Sequence, residues 1–428
     1  MVRMHSGIVF AVSLFLVVGL GWGQQLTIFW PDIEQGACML VVGPEEGGVR
    51  KALLIDSGTF HSVAPEEQPA ITIGRFLEEN PMVAIKYVVI SHDDRDHYSW
   101  IASIRTAGLL AADVIEYRWD TEDLPGTSIE LGGGAKALVV VANGKVWTGK
   151  EIAHAATPGD DNARSVGILI SYLHFQAWVG GGLGGDLPGS SYTDLETPIA
   201  SYIGDVDLYV MHHHGSKYSS SRVLLDVLKP EVSICQAGDG NNYGHPTAEA
   251  VARVLATVDT DSDNTNGTPL VILQNRGSYT LTTPGVYIAD PDGPGGLPGT
   301  ITLTTDGYSY TIEAAGLPET LRLFTDSIAP RATPTQAVRI VRVPTPCTVV
   351  LGNFTDKPIS IGGWDLRDNT TFFMIPAGTT LPPYGTLLIL VTTGCHESAF
   401  WVAQRNDYVL LYNADGNRVD QWQGGPMP

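Results

Sequence analysis

The stretch Tyr87-VVISHDDRDHYS-Trp100 decides the reading of this chain: an apolar run ends at Ser91, and His92, Asp94, Asp96 and His97 follow within six residues. Apolar residues bounded by a polar cluster predict a buried strand and the loop that leaves it. So many nitrogen and oxygen donors just past a strand end suit divalent metal ions, each of which needs several such ligands. The same types also occur in ordinary acidic loops, so the motif has to be weighed with the rest of the chain.

Three other segments add donors of the same kind. Asp56 closes the strand-like ALLIDSG, placed to hydrogen-bond a ligand or to touch metal. Asp186 follows the glycine-rich VGGGLGGD, and a bridging carboxylate is expected there; small-residue packing is the simpler reason for those glycines. MHHHGSKYSSS sets His212, His213 and His214 at another strand end, and GHPTAEA sets His245 ahead of a helix. A lone histidine is usually a packing or surface residue, but this grouping draws four of the chain's 11 histidines to strand ends.

Around these motifs strand-like and helix-like runs alternate. LTIFW, CMLVV, VGILISY, DLYVMHH and VSICQA read as strands, whereas ITIGRFLEE, SRVLLDVLK and TAEAVARVLATV read as helices, the last with Thr247 as its N-cap. Such alternation predicts a layered α/β domain over residues 24–315. Prolines and a TPTQ step mark 316–337 as a linker. Short strands from 338 to 428, punctuated by Gly, Pro and Asn-Asp, predict a small all-β sandwich.

The chain opens with Arg3, an apolar run from Ile8 to Leu20 and small residues near Gly23, the layout of a secretory signal peptide over residues 1–23. The run is short for a membrane anchor, which takes about 20 apolar residues, and no later stretch reads as a transmembrane helix. A secreted protein is therefore expected. Export permits a disulfide; Cys347 and Cys395 share one segment, whereas Cys38 and Cys235 sit in apolar strands and read as buried thiols. The formal charge is −21, and residues 338–428 contribute only −1 of it through six basic and seven acidic residues. Tight general binding of polyanions needs clustered Lys and Arg and is disfavoured. A nuclease whose metals supply the local positive charge is not excluded.

HxDxDH followed by HHGSKxSSS and YGHP resembles the metallo-β-lactamase domain of ComEC-type competence proteins. WPDIEQGACMLVV is similar to their opening strand and Gly-Gln-Gly turn, and DDNARSVGILI to their Asn-x-x-Ser step. The resemblance implies an αββα metallo-β-lactamase sandwich and one or two divalent ions. One ion would be held by His92 and Asp94, with Asn162 where most members have a third histidine. The other would be held by Asp96, His97 and His245, with Asp186 bridging. It further implies His213 or His214 as proton donor or phosphate contact and Ser216 and Lys217 as substrate contacts; Asp96 or Asp186 would orient the attacking water. Ala37 departs from the acidic residue usual after the turn. Asp94 in place of imidazole makes the first site richer in oxygen, which tilts it from zinc towards manganese or magnesium. The tail resembles the lamin-tail domain, an immunoglobulin-like sandwich, through NFTDKPISIGGWDL, IPAGTTLPPYGTLLIL and VLLYNADGNRVDQW; Trp364 is expected in its core, and its role is attachment to a surface or partner. The activity implied is hydrolysis of a phosphodiester, extracellular DNA included. A small-molecule phosphoester, lactone or amide is the alternative, and a non-catalytic binding protein the third reading.

Overall fold

The computed structural model describes residues 25–60, 68–146, 160–239, 241–257, 269–275, 284–289, 299–315, 317, 321–324, 338–345, 348–353, 357–367, 372–383, 385–390, 408–414 and 418–423. The expected signal peptide and the two C-terminal cysteines, Cys347 and Cys395, lie outside them.

Two sheets form the N-terminal body. The first takes β1 (Leu26–Trp30), β2 (Gly36–Val42), β3 (Arg50–Thr59), β4 (Val83–Ile90) and β5 (Leu110–Arg118). The second takes β6 (Ser128–Gly132), β7 (Ala135–Ala142), β8 (Lys145–Val146), β9 (Gly167–Tyr172), β10 (Phe175–Val179), β11 (Leu208–Val210), β12 (Val232–Cys235), β13 (Leu270–Leu273) and β14 (Val286–Ile288). The chain then returns to the first sheet through β15 (Ile301–Thr305), β16 (Ser309–Ala314) and β17 (Leu321–Phe324), giving the order β17-β16-β15-β1-β2-β3-β4-β5. Residues 321–324 were expected in a linker; instead they pair antiparallel with β16 and form the edge of the sheet.

The period of two along each strand decides what faces what. In β9, Ile168 and Ile170 join the core between the sheets, while Leu169 turns to the helices on the other side; in β10, Ala177 and Val179 face inward and Trp178 outward. Each such fully buried aliphatic side chain stabilises by roughly 1.5–3 kcal/mol, so a slip of register by one residue would expose the set. Helices α4 (Glu196–Ile203), α5 (Arg222–Leu228) and α6 (Ala248–Leu255) supply Ile199, Leu224, Leu225 and Val251 to that outer core. Ser221 and Thr247 cap α5 and α6, each side chain accepting a backbone N–H of the first turn. On the first sheet, α1 (Pro69–Glu79) and α3 (Ile101–Thr106) bury Ile73 and Ile104. The result is an αββα sandwich.

Strands β3, β4 and β5 run parallel, as do β10 to β14. Their carboxyl ends supply Asp56, the loop after Ile90, the glycines after Val179, the histidines after Val210 and Gln236 after Cys235, so the crevice outside those ends gathers the expected site. Cys38 and Cys235 are buried free thiols, as expected, and burial pushes the Cys38 thiol up to about 12.

The tail is a β-sandwich. Val338–Thr345, Thr348–Asn353 and Thr386–Leu390 form one sheet; Asp365–Arg367, Phe372–Met374, Tyr408–Tyr412 and Arg418–Gln423 form another. Val349, Leu351, Leu366, Val409 and Leu411 close the core between them, and Trp364 lies in it as expected.

Candidate metal centre

Asp56 is the first element of the site. The pairing of β2 with β3 skips it, matching Cys38 to Ser57 and Met39 to Ile55, and its φ of 56° is left-handed. This bulge turns the carboxylate towards the loop after β4. There Oδ1 accepts the Ser91 N–H at 2.7 Å, and Oδ2 accepts the Ser91 hydroxyl at 2.7 Å and His97 Nδ1–H at 2.7 Å. With its hydrogen spent on Asp56, Ser91 Oγ accepts from His92 Nδ1 at 3.0 Å. One buried carboxylate thus engages Nδ1 of both imidazoles and leaves Nε2 as the nitrogen facing the site, directly for His97 and through Ser91 for His92.

Asp96 and His97 lie on α2 (Arg95–Tyr98), a single turn laid against the end of β3. Gly58 makes that approach possible, because a Cβ there would stand 2.6 Å from the backbone of Asp96 and His97. His214 comes from the turn His212–Gly215, where His213 and His214 take φ of 51° and 54°. The carbonyl of Gln236 accepts its Nδ1–H at 2.8 Å, freeing Nε2. Ligand atoms of Asp96, His97 and His214 lie within 4.8 Å of one another, all three residues buried.

The electrostatics and the unmet valences agree with a cation there. Burial opposes charge on His97, but the carboxylates of Asp56 and Asp96 outweigh it and lift its pKa to about 9. Burial would likewise raise Asp96, yet the imidazoles of His97 and His214 hold its carboxyl well below the usual range. Asp96 Oδ1 and His214 Nε2 are buried without a hydrogen-bond partner, although His214 Nε2 stands 3.2 Å from Asp96 Oδ2. Orphaned buried acceptors are costly. One hard carboxylate and two imidazoles are a donor set that a divalent zinc or manganese ion would satisfy.

A second, looser group adjoins the first, with the His92 and His97 rings 4.0 Å apart. His92 Nε2 faces the half-buried Asp94 at 3.3 Å; burial and the neighbouring His97 lower the His92 pKa. Asn162 aims an unpartnered, buried Oδ1 into the same space. Gly182 backs it, since a Cβ at that position would fall 2.1 Å from Asn162 Oδ1 and 3.0 Å from His92 Cε1. The glycine run therefore serves close backbone approach to the site rather than small-residue packing alone.

Two expected ligands stand apart. Asp186 is exposed: after Gly182 the chain turns away, with Gly185 N–H held by the Tyr218 carbonyl at 3.0 Å. His245 is outside the trio, its ring 5.6 Å from His213, and the third member of the cluster is His214. His213 and His245 both keep a buried, unpartnered Nδ1; burial and neighbouring imidazoles lower both, His245 to about 4. Both are thus neutral near pH 7, each carrying one N–H and one acceptor. His212 is used up structurally, facing Glu196 through Nδ1 at 2.7 Å and accepting Trp178 Nε1–H through Nε2 at 2.8 Å. Ser216 Oγ is turned into its own loop, where it accepts the Tyr218 N–H at 3.3 Å; Lys217 is exposed, its Nζ 4.9 Å over the Tyr218 ring. Gln236 and Glu196 had no local signal in the sequence, since each acts only on a residue brought beside it by the fold.

Both parts of the chain have matches among known proteins. Residues 331–425 match the family model of the Lamin Tail Domain. The chain is 24% identical over 227 residues to Recombination protein 2 of Haemophilus influenzae, covering 52% of this chain and 26% of that protein. It is 24% identical over 276 residues to ComE operon protein 3 of Bacillus subtilis, covering 59% and 34%. It thus spans only about a third or less of these relatives' length. Among solved structures it is similar to the metallo-beta-lactamase fold protein YhfI of Bacillus subtilis, at 11% identity and a TM-score of 0.32, covering 54% of this chain and 93% of that one. The N-terminal body is an αββα sandwich whose sequence is similar to part of these two proteins, and the segment that matches the Lamin Tail Domain model follows it.

Proposed function

We propose that this protein is a secreted, metal-dependent hydrolase of phosphodiesters, with DNA or shorter nucleotide chains as substrate. The observation that carries the reading is the buried trio Asp96, His97 and His214, with both imidazoles engaged through Nδ1 so that Nε2 is the nitrogen left for a metal. Asp96, His97 and His214 would hold a divalent ion, which when bound would make a water easier to deprotonate near neutral pH and would polarise the scissile group. The chain's own residues do the remainder. Asp96 keeps one carboxylate oxygen unpartnered to orient the attacking water. His213 and His245 present neutral imidazoles beside the trio, suited to donate a hydrogen bond to a phosphate oxygen. Manganese or zinc fits the trio; the oxygen-rich His92, Asp94 and Asn162 group favours manganese or magnesium as a second ion. The apolar run from Ile8 to Leu20 supports export, and among the described residues no helix is long and apolar enough to cross a membrane. The tail supports attachment to a surface or partner.

The test is hydrolysis of single-stranded DNA and of a chromogenic phosphodiester by the full chain, with chelator, manganese or zinc. Metal-dependent cleavage falling at least a hundredfold in Asp96→Ala is expected. Cleavage of lactones or amides alone would replace the phosphodiester reading with the small-molecule one, and metal-independent cleavage would overturn the site.

A further inference from the structure

A chain of rings runs from the metal trio to the surface. His97 and His214 lie 5.2 Å apart, His214 and His213 6.5 Å, and His213 and His245 5.6 Å. From there Tyr243 stacks on His245 at 5.7 Å and 24°, and Phe60 follows at 6.1 Å. From the other side, Tyr192 meets His213 edge-on at 5.1 Å. The outer rings are open to solvent, Tyr243 at 57% and Phe60 at 40%. Both tyrosines sit within electrostatic reach of the site: burial raises each hydroxyl, and the charge on Asp94 adds to it in both.

Tyr243 is held in place. Asn241, itself buried, donates from Nδ2 to the carbonyls of Gly238 at 2.8 Å and His245 at 2.6 Å. Its Oδ1 accepts the N–H of Tyr243 at 3.2 Å and of His245 at 3.0 Å. One side chain thus sets the loop that presents both rings, and a surface aromatic fixed in this way is preorganised for a planar partner. The charge balance points the same way. At −21 the chain lacks the means to draw a polyanion by general attraction, so affinity for a phosphodiester beyond the metal has to come from something other than cations. Stacking on aromatic faces supplies it and is indifferent to base identity.

We propose that Tyr243, with Phe60 and Tyr192 beside it, is a base-stacking platform that seats a nucleobase next to the phosphodiester on the metal centre. The inference rests on the hydrolase reading and narrows its substrate to nucleotide units with an unpaired base.

The experiment compares a thymidine trinucleotide with an abasic trinucleotide of the same backbone and charge, using the full chain with manganese. The base-bearing trimer should have a KM about tenfold lower, the effect of one stacked base. That ratio should fall several-fold towards one in Tyr243→Leu, and in Phe60→Leu should one variant misfold. KM for the thymidine trimer should also change little with salt, because few counterions are released. Equal KM for the two trimers in the wild-type protein would overturn the platform while leaving the hydrolase standing. Cleavage of neither trimer would overturn the phosphodiester reading, and the platform with it.

Discussion

Asp56→Asn changes no shape and should still dismantle the metal centre. Asp56 Oδ1 accepts the Ser91 backbone N–H at 2.7 Å, so an asparagine must keep its oxygen there. The reverse orientation would oppose two donors in a buried site, at a cost of about 1–3 kcal/mol. Its NH2 then lies where Oδ2 was, facing the Ser91 hydroxyl and His97 Nδ1, each 2.7 Å away in the wild type. One hydrogen goes to each. His97 Nδ1 becomes an acceptor, which places the ring proton on Nε2. Ser91 no longer donates to residue 56 and can donate to His92 Nδ1, which reverses that ring as well. Both imidazoles then present N–H, not a lone pair, to the metal. Loss of such a supporting carboxylate typically weakens binding 10- to 100-fold, which at saturating metal removes about 1.4–2.7 kcal/mol of metal-dependent stabilisation. Calorimetric titration with manganese and zinc gives the affinity, and thermal melts with and without metal give the stabilisation. Wild-type affinity in Asp56→Asn, with the variant folded, would refute the ordering of the two rings by Asp56.

His214→Ala and His245→Ala should separate cleanly. His214 lies in the trio and His245 outside it, so metal affinity should fall at least tenfold in the first and stay within about twofold in the second; equal losses would return His245 to the ligand set. The metal-free protein should lose stability between about pH 6.5 and 9. His97 is lifted to about 9 by Asp56 and Asp96, so its contribution is complete below its unfolded pKa and vanishes as pH rises through the folded value. Melting in chelator across that range checks the sign, and a midpoint rising with pH would contradict it.

The parts of the site that the sequence made legible are those a single strand end can carry. His92, Asp94, Asp96 and His97 fall within six consecutive positions, and a strand followed by one helical turn fixes their relative directions almost without help. Asp56 was recognisable by its place at the end of an apolar run, though the bulge that aims it was not. The layered α/β body followed from alternating strands and helices. The short edge strand Leu321–Phe324 did not, because a four-residue strand next to prolines has too little apolar pattern to oppose a linker reading.

Choosing among donors that arrive from different segments is a different problem, and His214 against His245 shows why. Both lie in loops that leave strands of the second sheet, both sit next to a glycine, and their side chains are chemically identical. What distinguishes them is a carbonyl on the neighbouring strand: β12 runs parallel to β11 and delivers Gln236 O to His214 Nδ1, while His245 Nδ1 has no partner and its ring is claimed by His213 and Tyr243. Asp186 and Gly182 make the same point in reverse. A carboxylate four residues beyond the closest approach points to solvent, and a residue with no side chain lies against Asn162 and His92. Ligand identity inside one motif is a local property of the chain; ligand identity between motifs is decided by which strands are neighbours, and that pairing is long-range.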